Sequence, residues 1–355
     1  MSLDNLRKQI DETDERIVKL IGERIQITRY IGKEKMETGQ AIEDKSREKV
    51  VLERVKNLAR LENLNPDEVE KIYQRIIMAS KEVQGITASF QGEIGAYSEE
   101  AAFQYFGSGV RLKPCESLED AFQAVESQEV QYGIVPVENS LEGSIPRTYD
   151  LLLDSSLKVS GETQLRVVHC LIGLPDAQID SIKEVYSHPQ ALGQCKTFLR
   201  QMGWKLTPSY DTAGSVKMIK QNRMEDKAAI ASARSAEIYG MKILVRSIED
   251  NANNYTRFFV ISRQDAPISG SDKTSIVFTV KHTPGALYET LKELAAAKIN
   301  LTRIESRPTR QKPWEYNFYV DIEGHREDPV IKRALEGLEK SAVFMKVLGS
   351  YPKFK

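Results

Sequence analysis

Over residues 1–84, apolar side chains recur at Leu3, Leu6, Ile10, Ile17, Leu20, Ile27 and Ile31, the a and d positions of a heptad lattice. No proline interrupts the run, which predicts one helix reaching about Met36, roughly 50 Å long at ~1.5 Å per residue. Two shorter helices follow near 43–61 and 66–84, the second opened by Asn65-Pro66 with Asp67-Glu68. Two short helices cannot bury so long a neighbour, so a partner chain is expected. From 85 to 264 the period changes. Short β-branched runs such as Thr87-Ala88-Ser89-Phe90, Gly133-Ile134-Val135-Pro136-Val137, 167–174 and Glu184-Val185-Tyr186-Ser187 alternate with amphipathic helices, the first near 98–106. That is an α/β pattern. Residues 264–272 read as a linker. The remainder predicts strand 274–281, helix 284–298, strands 299–307 and 314–323, helix 328–341 and strand 343–350, a βαββαβ ferredoxin-like unit. Three domains are therefore expected: 1–85, 86–264 and 273–355.

Composition narrows the function classes. Hydrophobic residues make up 41% and charged residues 28%, and the formal net charge is −1. No global field favours nucleic acid or a membrane surface. No apolar run approaches the ~18 residues that would span a bilayer, and the first residues carry no apolar leader, so the cytosol is the expected compartment. Cys115, Cys170 and Cys195 match neither a disulfide framework nor a zinc spacing, and the four histidines form no HExxH pair. No metal and no cofactor is expected.

The helical region places charge where a core should be. Arg24 occupies the heptad lattice seven residues from both Ile17 and Ile31. A charge there costs several kcal/mol unless it is paired, or it sets register in a coiled coil. Lys35, eleven residues on, returns to nearly the same face, whereas Arg7 points about 100° away and could reach a partner's pocket. Asp44, Arg47 and Glu48 share a face of the second helix, as Ser80 and Gln84 do on the third. Four cations, two acids and two neutral polar groups suit a small dicarboxylate carrying a hydroxyl or ether. This constellation, over residues 3–84, resembles the all-helical chorismate mutases, which are intertwined dimers. The resemblance implies that Arg7 of the other chain, Arg24 and Arg47 hold the carboxylates. It implies that Lys35 and Gln84 contact the ether oxygen and that Glu48 orients the hydroxyl, supported by Asp44 and Ser80.

In the α/β region, three loops follow strands and open helices: Gly92-Glu93-Ile94-Gly95-Ala96-Tyr97, Pro136-Val137-Glu138-Asn139-Ser140, and Ser187-His188-Pro189-Gln190. Strand ends of open sheets are where ligands bind, although a glycine turn can be only a turn and His188 only a helix start. Asn254-Tyr255-Thr256-Arg257-Phe258 sets an arginine in an apolar strand, beside an anion or facing water. Together these resemble the prephenate dehydratases, in which Thr-Arg-Phe is a signature, over residues 87–264. The resemblance implies two lobes like those of periplasmic binding proteins, with crossings near 168 and 245. Thr256 then donates a proton to the departing hydroxyl. Asn139 and Gln190 bind substrate, with Ser140, Ser187, His188, Arg257 and Phe258 in the binding set.

Gly285-Ala286-Leu287 opening a helix and Glu305-Ser306-Arg307-Pro308 ending a strand resemble the ACT regulatory domain of phenylalanine-regulated dehydratases. Those seven residues are the implied effector set. The expected whole is a bifunctional enzyme of phenylalanine biosynthesis with chorismate and prephenate as substrates and L-phenylalanine as effector, forming a homodimer or a dimer of dimers. Three alternatives stay open: a non-catalytic ligand-binding sensor, a dehydratase with an inactive dimerising helical domain, and a dehydratase that accepts arogenate.

Overall fold

The computed structural model describes residues 2–37, 45–82, 85–309 and 314–354. The chain forms two units, Met1–Thr87 with Phe106–Arg111, and Ala88–Tyr105 with Leu112–Lys355. The first unit holds three helices, α1 (Leu3–Glu37), α2 (Lys45–Leu61) and α3 (Pro66–Glu82). Asn65 caps α3, its side-chain oxygen accepting from the Asp67 and Glu68 N–H groups. Packing of α2 and α3 buries Val55, Ala59 and Ile77. The heptad residues of α1 stay exposed: Ile10 and Leu20 are each about 60% accessible.

The second unit is built on three sheets. Its first sheet comprises β1 (Thr87–Gln91), β2 (Arg111–Cys115), β3 (Tyr132–Asn139), β4 (Gly143–Ser144), β5 (Lys158–Arg166) and, after a long excursion, β11 (Tyr255–Ser262). The order is β2-β1-β3-β11-β5, with β1 and β3 parallel and β11 antiparallel to both its neighbours. Helices α4 (Tyr97–Phe106), α5 (Leu118–Glu126) and α6 (Pro146–Asp154) belong to this lobe. The excursion forms the other lobe, a mixed sheet of order β10-β6-β9-β7-β8. Its strands are β6 (Cys170–Gly173), β7 (Glu184–Ser187), β8 (Lys205–Pro208), β9 (Lys227–Ala231) and β10 (Lys242–Val245), and its helices α7 (Pro189–Gln194), α8 (Lys196–Met202), α9 (Thr212–Gln221) and α10 (Ala233–Tyr239).

The apolar run 167–174, expected as one strand, is two segments. Val167 donates its N–H to Asn254 at 2.8 Å, and Ile248 donates to the His169 carbonyl at 3.0 Å. The two crossings between lobes thus pair with each other rather than with either sheet, which satisfies their backbone and interrupts the strand.

The third sheet is antiparallel, order β13-β14-β12-β15, formed by β12 (Asp272–Thr279), β13 (Leu301–Pro308), β14 (Tyr316–Glu323) and β15 (Phe344–Pro352). Helices α11 (Ala286–Ala296) and α12 (Pro329–Ser341) cover one face, over Ile276, Phe278, Val320 and Ile322. Strand alternation turns Val277 and Tyr319 to the other face, and a bulge at Leu348 in β15 brings Leu348 and Tyr351 there too, into one core with Val135, Tyr149, Val159, Phe259 and Ile261 of the first lobe. Burying each such side chain contributes about 1.5–3 kcal/mol. At Gly349 a Cβ would overlap the Val159 carbonyl, so only glycine permits this approach of β15 to β5. The 264–272 segment is a tight connection: Asp272 accepts from the Ser269 and Gly270 N–H groups at 3.0 Å. Among the described residues no helix is long and apolar enough to cross a membrane.

Candidate active sites

In the helical unit, Arg24 reaches from α1 to α3, where its guanidinium donates to the Ser80 hydroxyl. Ser80 is buried and donates in turn to the Ile76 carbonyl at 2.7 Å. The lattice arginine is therefore half-buried and engaged by a neutral hydroxyl. Arg47 is exposed and Glu48 half-buried in the first turn of α2. Arg7 is exposed beside Asp4, 3.8 Å away. Asp44, Gln84 and the side chain of Lys35 lie outside the described residues.

The second unit holds a cavity of about 200 Å³ between the two lobes. Asn139, His188, Gln190, Thr256 and Phe258 of the expected set line it, with Tyr97, His169, Gln194, Tyr210 and Asp211. Thr256 stands opposite Asn139 in the β11–β3 register, and Asn139 Nδ2 lies 3.1 Å from Thr256 Oγ1. No lysine or arginine lines the cavity among the described residues. An anionic group there would meet amides, hydroxyls and the first turn of α4, the start of α9 being capped by Asp211. Asp211 is the one acid among the lining residues. Burial pushes its carboxyl above the usual range, against the Gly214 N–H bond that favours the charged form.

Three expected binding residues are placed elsewhere. Arg257 is not brought to the cavity. Thr256 and Phe258 share one face of β11, and period two sends Arg257 to the other. There it bonds Glu162 (2.6 Å), Asp321 of the third sheet (2.7 Å) and the Tyr351 hydroxyl (3.1 Å). Ser187 is fully buried and donates to the Ile230 carbonyl at 2.6 Å. Ser140 ties the turn after β3 to the last crossing, donating to Asn253 O and accepting from Tyr255 N–H, both at 3.0 Å.

The Gly92–Gly95 turn is not an open anion cradle. The Gly95 N–H donates to Glu99 at 3.0 Å, and its carbonyl accepts from the hydroxyls of Ser232 and Ser235 in the opposite lobe. Glu93 binds Tyr210 and Lys217, and Glu99 binds Arg234, so this turn clasps the lobes together. Gly95 has φ +94, and a Cβ would sit 3.0 Å from Ser235 Oγ.

A buried polar series borders the cavity and was not foreseen. Asn139 Nδ2 lies 2.7 Å from Asn254 Oδ1, and Asn254 Nδ2 lies 2.8 Å from Gln194 Oε1. His169 Nε2 lies 2.9 Å from that same Gln194 oxygen, and His169 Nδ1 lies 2.9 Å from the Tyr97 hydroxyl. Burial holds the His169 imidazole below its ordinary pKa, so the neutral ring is favoured. The available signals were Gln194 one turn beyond Gln190 and an imidazole inside an apolar run.

In the third sheet, alternation divides the Glu305-Ser306-Arg307-Pro308 motif. Glu305 accepts from Ser144, and Arg307 binds Asp150 and the Pro146 carbonyl, all in the first lobe. Ser306 faces outward with Ile304. Gly285, at φ +80, is the N-cap of α11, which opens with Ala286 and Leu287.

Three family models match successive stretches of the chain. Residues 6–85 match chorismate mutase type II, 88–266 match prephenate dehydratase, and 274–340 match the ACT domain. A bifunctional chorismate mutase/prephenate dehydratase of Aquifex aeolicus is 38% identical over 99% of this chain and 98% of its own. An Arabidopsis thaliana arogenate dehydratase/prephenate dehydratase is 43% identical over 75% of this chain and 73% of its own. The crystal structure of prephenate dehydratase from Arthrobacter aurescens in complex with L-Phe superposes with TM-score 0.70 at 31% identity, covering 76% of this chain and 90% of that one. With two catalytic family domains, an ACT domain and full-length relatives of the same order, the chain belongs to the bifunctional chorismate mutase/prephenate dehydratases of phenylalanine biosynthesis.

Proposed function

We propose that Arg24, Lys35, Arg47, Glu48 and Gln84, with Arg7 of a second copy, form the mutase site, supported by Asp44 and Ser80, and that Thr256 is the proton donor of the dehydratase site. The Claisen rearrangement of chorismate needs no acid, base or cofactor. It needs one chair conformer held and charge stabilised on the ether oxygen. The exposed apolar face of α1 supports pairing through that helix; its seven Leu and Ile side chains offer on the order of 10 kcal/mol at ~1.5 kcal/mol each.

In the dehydratase step the ring carboxylate leaves as CO2, its electron pair enters the ring, and the ring hydroxyl leaves as water after taking a proton. Aromatisation drives the step, so the protein must orient two leaving groups and protonate one. Asn139 Nδ2 at 3.1 Å from Thr256 Oγ1 is the observation that carries the assignment, since a hydroxyl oxygen that accepts there keeps its own proton for the substrate. L-Phenylalanine is the effector, bound by the outward side of the ACT sheet and the α11 start, and the enzyme is cytoplasmic.

Arogenate, with an ammonium in place of the keto oxygen, is the second reading. Asp211, the one acid lining the cavity, favours it as the group that would receive that ammonium. Product formation from chorismate by the full chain, without added metal or cofactor, tests the first reading. Phenylpyruvate that falls when phenylalanine is added supports it. Prephenate that accumulates unconverted, while arogenate is turned over, favours the second. Unconsumed chorismate refutes the mutase assignment.

A further inference from the structure

The buried amides beside the cavity have a direction that can be derived from one end. The Leu141 and Glu142 N–H groups both point at Asn139 Oδ1, at 3.0 and 3.1 Å. Backbone N–H only donates, so Asn139 Oδ1 accepts and Asn139 Nδ2 donates. One of its protons then goes to Asn254 Oδ1 at 2.7 Å, and the other is directed between Thr256 Oγ1 at 3.1 Å and the more distant Tyr255 carbonyl at 3.3 Å. Asn254 Oδ1 accepts, so Asn254 Nδ2 donates to Gln194 Oε1. That oxygen already takes one proton and can only take another, so the imidazole nitrogen beside it, His169 Nε2, carries hydrogen. His169, Asn254 and Asn139 are each under 5% exposed, so a partner lost from the series leaves a buried polar group behind.

We propose that His169 is a positioning residue for the dehydratase step: its Nε2–H and the Asn254 amide converge on Gln194 Oε1, which holds Asn254, and through it Asn139, in the place from which Asn139 Nδ2 is aimed at Thr256 Oγ1, leaving that hydroxyl's own proton for substrate. The inference rests on the reading of Thr256 as proton donor. Gln194 Oε1 sets the tautomer: neutral His169 carries its hydrogen on Nε2, and Nδ1 faces the Tyr97 hydroxyl, whose one proton is shared with the Val168 carbonyl, each 2.9 Å away. Without the imidazole donor, Gln194 Oε1 keeps one of its two donors; the Asn139 end keeps its direction from the backbone, so what is lost is the hold on Gln194 and Asn254.

The side chains that test this differ by where they put one nitrogen. Glutamine carries its amide nitrogen the same number of bonds from Cβ as His169 Nε2; asparagine reaches only the Nδ1 position; leucine has no donor. The full chain is assayed with prephenate, its chorismate turnover and thermal unfolding being followed in parallel. Expected for His169→Leu and His169→Asn is a kcat lower by roughly 5- to 100-fold, the span of a lost buried hydrogen bond, with KM within about twofold because the series acts on the hydroxyl rather than on substrate binding. His169→Gln recovers most of the loss. In a Thr256→Ala background, His169→Leu lowers the residual rate no further.

A His169→Leu loss as large in that background as in the wild type overturns the proposal, as does a glutamine variant as impaired as leucine. Should the leucine variant fail to fold, the asparagine and glutamine pair carries the comparison. If Thr256→Ala keeps the wild-type rate, the reading of Thr256 falls and the inference with it. If Thr256→Ala is inactive while every His169 variant is normal, the inference alone falls.

Discussion

Replacing Arg257 tests how the catalytic strand is joined to the ACT sheet. Its side chain is 10% exposed, between Glu162 (0%) and Asp321 (3%). Glu162 keeps Lys273 at 2.8 Å and the Phe354 N–H at 3.0 Å when the arginine is lost; among the described residues Asp321 keeps only Ser275 as a side-chain partner, at 2.5 Å. The cost of Arg257→Ala is therefore mostly that of stranding the Asp321 carboxylate, about 3–5 kcal/mol for a broken buried pair, or roughly 10² to 10⁴ in the unfolding constant. At a urea dependence of about 3 kcal/mol per M, the midpoint falls by roughly 1–2 M. Trp204 packs against the core of the second lobe and reports its unfolding by fluorescence; Trp314 is 75% exposed, so far-UV circular dichroism follows the C-terminal domain. Asp321→Leu in an Arg257→Met background should cost far less than in the wild type, because neither charge is then left alone. Equal costs in the two backgrounds would refute the argument, showing that the pair is not coupled.

Other expectations follow from the same geometry. Lys35→Ala should abolish mutase turnover and spare the dehydratase, and Thr256→Ala the reverse; paired assays on chorismate and prephenate check both, and loss of both activities in either variant would count against separate sites. Ser306→Ala, on the outward face of β13, should weaken phenylalanine inhibition with an unchanged melting temperature. Arg307→Ala should lower that temperature as well, since its Asp150 and Pro146 contacts are lost; full inhibition in both variants would move the effector site elsewhere. The Glu184 carboxyl, bonded by Lys205, Lys227 and Thr207, is drawn from its ordinary 4.5 down to about 2. A folded pKa below the unfolded one adds stability above pH 4.5 that is lost as pH falls toward 2. Urea midpoints of wild type and Glu184→Gln should differ at pH 7 and converge in acid, and a gap that persists at pH 2 would exclude this origin.

Legibility in the sequence tracked the range of the forces involved. The heptads of α1, the cap of α3 and the βαββαβ order are set by neighbours within a turn or a strand, and they could be read directly. Thr256, Asn139 and Gln190 came with motifs that mark strand ends. What could not be read is what depends on distant partners. The run 167–174 has strand composition, and only the returning segment 246–254 turns it into a crossing. Alternation along β11 implied that Arg257 and Thr256 part company, yet nothing local said that Asp321, 64 residues away, waits on the far side. His169, Gln194 and Asn254 meet across separations of 25 and 60 residues, with no spacing to announce them.

The core shared by the first lobe and the ACT sheet bears on how such a chain can change its regulation. A stop codon after β11 would leave Phe259, Ile261, Val159 and Tyr149 facing water. It would also remove Lys346, whose ammonium donates to the carbonyls of Leu152, Leu153 and Ser155 at the end of α6. The sensor therefore cannot be shed as a cassette. Strains selected for phenylalanine overproduction should carry point changes on the outward side of that sheet, not shortened reading frames, and a graft of a different sensor would have to reproduce its inner face before its ligand pocket mattered.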